Sequence, residues 1–140
     1  MATKADFTDD EWATLQRGLT GSGTLVALVD RGFFDTFKES GSLAKHLAKA
    51  HTSSPSALVR DIAKAHGTGF AMSAKPDEIE SGTLDALRSS VALLTAKAPD
   101  DLAEYRATVV DVAEAVSAAA KGGDDVEAAA IAKIRQAVGA

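Results

Sequence analysis

Two apolar stripes set end to end constrain this chain more than any other feature in it. Leu84, Leu87, Val91, Leu94 and Ala98 recur at steps of three, four, three and four, and Leu102, Tyr105, Val109, Val112 and Val116 repeat the same steps. That period keeps each set on one side of an α-helix, whereas a strand would scatter it over two faces. Between the stripes lies Pro99-Asp100-Asp101, a proline suited to a first helical turn followed by two acids. Stripes joined by so few residues predict an antiparallel helical hairpin whose seams face each other.

The rest of the sequence supports the same class. Alanine supplies 29 of 140 residues and aromatics only 5%, so helix formers dominate and strand formers are sparse. The expectation is an all-α protein, residues 1–140 forming a single compact bundle of about six helices. Thr8 and Glu11 match a capping box, and Trp12, Leu15, Leu19, Val26 and Val29 then mark a first helix. Gly18, Gly21 and Gly23 each cost that helix about 1 kcal/mol relative to alanine. The helix therefore either breaks there or receives another helix against its bare backbone, and a continuous or kinked helix is expected. Phe33, Phe34 and Phe37 with Leu43 and Leu47 predict a second helix ending near Ala50. Ser54-Pro55 is read as cap and first residue of a third, with Leu58, Val59 and Ile62 on its face. Pro76-Asp77-Glu78 opens the fourth, with a possible break at Gly82, and Asp124 with Glu127 caps the last, which carries Val126, Ile131, Ile134 and Val138.

Composition removes whole classes of function. Without cysteine there is no disulfide framework, thiolate nucleophile or cysteine-ligated metal. Fifteen basic residues against twenty acidic ones give a net charge of -5, the wrong sign for a phosphate-backbone partner, so no nucleic acid is expected. No apolar run approaches the about 20 residues of a membrane span, and Met1 to Phe7 is too short and polar for a signal peptide. A cytoplasmic protein with no membrane partner is the expectation. All of the net charge arises in residues 71–140, a surface that could attract a basic partner or simply favour solubility.

Candidate chemistry is thin. His46 and His51 are five apart, on different sides of a helix, and no H-E-x-x-H pattern exists. His51 and His66 fall near predicted helix ends, where a cation suits the dipole. No serine sits in a G-x-S-x-G context, and no phosphate-binding glycine loop is present. Acids gather at Asp9–Glu11, Asp77–Glu80, Asp100–Glu104 and Asp124–Glu127, each a predicted first turn, where negative charge is favoured. Asp30, Asp35 and Glu39 differ: they flank the Gly32 turn and converge if the chain reverses tightly there, as a hard divalent cation requires.

One pattern occurs twice: an apolar helix, an acidic or glycine turn, and a second helix with an acidic start. Leu25 to Gly32 leads through Asp35 and Glu39 to Leu43 and Leu47, and Val112 to Gly123 leads through Asp124 and Glu127 to Ile131 and Ile134. In this the chain resembles the tellurite-resistance TerB-like family of small helical domains, built from two such halves. Arg31 separates Asp30 from Gly32 here, and Lys121-Gly122 stands at the second turn. The resemblance implies a stress-response-linked, non-enzymatic module. It also implies a divalent cation such as calcium at Asp30, Asp35 and Glu39 and at Asp124, Asp125 and Glu127. Two readings of different class follow: a non-catalytic domain binding such a cation, another protein or itself, and a small enzyme or ligand-binding protein with a pocket between the halves near His46 or His66, lined by Phe70 and Met72.

Overall fold

The computed structural model describes residues 2–28, 42–64, 70, 74–119 and 125–139. Among them every regular element is helical, in keeping with the all-α expectation. The α-helices are α1 (Asp9–Leu28), α2 (Ser42–Ser53), α3 (Ala57–Ile62), α4 (Pro76–Lys97), α5 (Leu102–Ala119) and α6 (Asp125–Val138), with 3-10 turns at Lys4–Asp6 and Pro99–Asp101. No described helix is long and apolar enough to cross a membrane.

The centre of the bundle is α1. Its start is capped as the sequence predicts: the Thr8 amide donates to Glu11 Oε1 at 2.8 Å and the Glu11 amide to Thr8 Oγ1 at 3.1 Å. From Gly18 to Ala27 every residue is buried, including Thr20, Ser22 and Thr24. A helix carrying three hydroxyls can be enclosed because each donates back to the carbonyl four residues earlier, Ser22 to Gly18 at 2.6 Å and Thr24 to Thr20 at 2.9 Å. No hydroxyl proton there is left without an acceptor, so burial costs little.

Both predicted stripes pack into the core, with only Leu84, Val91 and Leu102 half-buried, but they do not face each other. The helices α4 and α5 meet chiefly around the Pro99–Asp101 turn and diverge to either side of α1, which takes the place expected for a direct seam. The α1 and α4 pair is antiparallel: Glu11 meets Lys97, the Thr14 carbonyl accepts from Ser90, Gly18 lies against Leu87, and Gly21 lies against Thr83. The glycines explain why α1 wins this position. A Cβ on Gly18 would sit 2.5 Å from the Tyr105 hydroxyl and 3.1 Å from Leu87 Cδ2, and one on Gly21 would strike Thr83 Oγ1. Bare backbone therefore lets α4 and α5 close onto α1, and through the gap at Gly18 the Tyr105 hydroxyl donates to the Leu15 carbonyl at 2.8 Å. The helix is continuous, so of the two sequence alternatives close packing is the one realised.

Two further expectations are corrected. The fourth helix does not break at Gly82, because that glycine lies inside α4 where the Phe70 ring packs onto its backbone, with the Arg17 guanidinium 5.5 Å above the ring. The third helix is capped by Ser56 rather than Ser54: Ser56 Oγ accepts from the Val59 amide at 3.1 Å, leaving Pro55 outside the helix. Near the start of the chain, Phe7 and Trp12 pack with ring centroids 6.0 Å apart, and the Lys97 ammonium caps the Phe7 ring while donating to the Asp6 carbonyl and Glu11. The last helix covers the open side between α4 and α5, with Ile134 and Val138 fully buried.

Candidate functional site in the cleft between α2 and α5

The sequence seam of α5 has a polar neighbour. One residue before each of Tyr105, Val109, Val112 and Val116 stand Glu104, Thr108, Asp111 and Ala115, a second stripe beside the buried one. Where α2 leans on α5, this stripe faces Lys49 and Ser53, one turn apart on α2, and Ser54 just beyond it. The result is an open cleft of about 450 Å³. Its floor is the apolar seam at Val112; its walls carry charge and hydroxyls.

Glu104 organises the cleft. The half-buried carboxylate receives Ser54 Oγ at 3.0 Å and Thr108 Oγ1 at 3.4 Å, both on Oε1. Ser54 is itself buried, accepts from the Ser56 amide at 3.3 Å, and its carbonyl takes a bond from Arg60 at 2.6 Å. Ser56 Oγ donates to Asp101 Oδ1 at 2.8 Å. His51 closes the same corner. Its Nδ1 lies 3.0 Å from the Arg60 carbonyl, and since a carbonyl can only accept, Nδ1 carries the proton. The α2–α3 connection is thereby pinned to the start of α5, and Glu104 Oε1 is fixed in place by neutral donors.

What remains uncommitted in the cleft is mostly acceptor. Ser53 donates to the Lys49 carbonyl, and Ser54 and Thr108 donate to Glu104, so the hydroxyl protons are used. Glu104 Oε2 and the exposed Asp111 carboxylate have no donor among the described residues, and neither acid is ion-paired there. Lys49, exposed on the opposite wall, is the cleft's one cation among its described lining.

The residues singled out in the sequence lie elsewhere. Asp30, Asp35, Glu39 and Asp124 fall outside the described residues, and Asp125 and Glu127 belong to the first turn of α6 with side chains outside them too. The side chain of His46, and all of His66 and Met72, likewise fall outside. Among the described residues no group of three histidine or carboxylate side chains is arranged to hold a metal ion. Sequence reasoning assigned Ser54 to a helix cap and Glu104 to a helix start, and so passed over the pair. The signal that marks Glu104 is the polar series Glu104, Thr108 and Asp111, at the same four-three spacing as Tyr105, Val109 and Val112; nothing comparable marks Ser54.

Two titrations show how differently the bundle treats its polar groups. Burial pushes the Tyr105 phenol well above its ordinary range, so it acts only as a neutral hydrogen-bond donor to α1. At the surface, the hydrogen bond from Lys97 and then that from the Thr8 amide hold the Glu11 carboxyl below its ordinary value. Neither group lies in the cleft. No family model matches the chain, and no curated protein or solved structure matches it.

Proposed function

We propose that this chain is a non-catalytic helical binding domain that takes a positively charged ligand, or the basic group of a protein partner, in the cleft between α2 and α5. The observation that carries this reading is Glu104, a half-buried carboxylate held by neutral hydroxyls and, among the described residues, not ion-paired. Both hydroxyls bond Oε1, so the second oxygen of the carboxylate is open to an incoming cation. The net charge of -5 favours the same class of ligand by drawing cations toward the surface. The test is amide chemical-shift mapping with calcium, magnesium and a lysine-rich peptide. Shifts concentrated at Lys49, Ser54, Glu104 and Asp111, and lost in Glu104→Gln, are the expected outcome; a cleft silent to all three probes defeats the reading.

The resemblance to TerB-like domains supports a stress-linked, non-enzymatic role and adds a separate ion proposal at Asp30, Asp35 and Glu39, with Asp124, Asp125 and Glu127 as its counterpart. There, calcium should stabilise the fold by mass action, by about 2.7 kcal/mol at one hundred times the dissociation constant, and so raise the melting temperature. Asp30→Asn combined with Asp35→Asn should abolish that gain. A melting temperature indifferent to divalent ions removes the ion site and leaves the cleft proposal standing.

A further inference from the structure

Resting on the reading of the cleft as a cation site, we infer that its ligand is a linear polyamine lying along α5, with one ammonium at Glu104 and another at Asp111. The spacing decides between kinds of cation. Glu104 and Asp111 are seven residues apart on one helix, a separation of about 10 Å along its axis. A divalent metal ion gathers its oxygens at about 2.3–2.6 Å around one point, so a single ion cannot join these two carboxylates. An extended chain with ammonium groups near its two ends spans that distance, and its methylenes lie over Thr108, which lines the cleft between the two acids. The donor count agrees. With the protons of Ser53, Ser54 and Thr108 already committed, the acidic wall of the cleft offers acceptors, and an ammonium supplies three donors and no acceptor.

Two other concavities among the described residues fit a ligand less well. The hollow between α5 and α6 contains Arg106 and Arg135, but Arg106 is bound to the Val138 carbonyl and Arg135 to Glu114. The groove beside Lys97 between α1 and α4 has its charges paired, Lys97 with Glu11.

Lys49 gives the proposal a sign that other occupants do not share. Its ammonium faces the acids without pairing with them, so it opposes a polyamine and would assist a zwitterion that bridges both walls. Calorimetric titration of the whole chain with spermidine, putrescine and calcium chloride, at low and at moderate salt, tests this. Spermidine is expected to bind roughly tenfold more tightly than the shorter putrescine, because only it reaches both carboxylates. Asp111→Asn and Glu104→Gln should each weaken spermidine by about tenfold, and Lys49→Gln should tighten it. Asp111 is exposed and makes no described bond, so its variant keeps the fold. Asp77→Asn, which removes the same charge from the first turn of α4, should leave the affinity unchanged. Equal affinities for spermidine and putrescine, an equal loss from Asp77→Asn, or weakening by Lys49→Gln would each overturn the polyamine assignment. Calcium binding that Glu104→Gln abolishes, with no spermidine binding, overturns the polyamine and keeps the cation site, whereas no Glu104-dependent binding by any of the three overturns both.

Discussion

The α1–α4 crossing and the α2–α5 cleft are both places where two helices meet, and they end in opposite states. At the crossing, Gly18 and Gly21 present bare backbone, so Leu87, Ser90 and Thr83 press in until there is no room for a methyl group. At the cleft, Lys49 on one wall faces Glu104 and Asp111 on the other, and the space between the helices stays open. Contact distance in this bundle follows side-chain size and charge at the interface rather than helix length, and an open cleft is left where the chain declines to seal.

The largest expected effect breaks the sealed side. Leu87→Ala should cost about 2–5 kcal/mol by leaving a cavity against Gly18, read from denaturant midpoints at unchanged slope. Gly21→Ala comes next, since the added methyl must displace Thr83; about 1–3 kcal/mol of destabilisation is expected, and an unchanged melting temperature would mean the crossing is looser than described. Thr83→Val carries the opposite sign. Among the described residues Thr83 Oγ1 is buried with no hydrogen-bond partner, so replacing it by a methyl of the same shape should leave stability unchanged or raise it by about 1 kcal/mol.

The smallest effect sharpens the comparison from the exposed end of the same helix pair. The folded-state pKa of Glu11 is depressed, so its contribution is present above its ordinary value of 4.5 and lost as pH falls through the lower folded value. Glu11→Gln should therefore flatten the acid limb of a stability-against-pH curve, and an acid limb identical to that of the unsubstituted chain would show that the Lys97 contact does not form in solution.

Periodicity made most of the helices legible, because burial of Leu87, Leu94, Tyr105, Val109 and Val116 follows directly from their spacing. Partner choice was not legible. Stripes on adjacent helices look like a pair, and only the glycines of α1, whose meaning is spatial, reveal that a third helix intervenes. Capping was legible where it is reciprocal, as at Thr8 and Glu11, and misread at Ser54, where Ser54 and Ser56 offer the same local chemistry and a contact fifty residues away decides between them. That long-range bond is also why the cleft escaped notice: Glu104 reads as an ordinary first-turn acid until Ser54 is seen to hold it.

The enclosure of α1 sets a timetable for synthesis. A helix wrapped by α4 and α5 cannot be covered until both exist, so on a ribosome adding about 5–20 residues per second the buried stretch from Leu19 to Ala27 waits several seconds or more for Tyr105 and its neighbours. Its segment first in the chain is thus last to be sheltered, and the interval in which this protein is most open to aggregation or to a chaperone is fixed by the order of its helices.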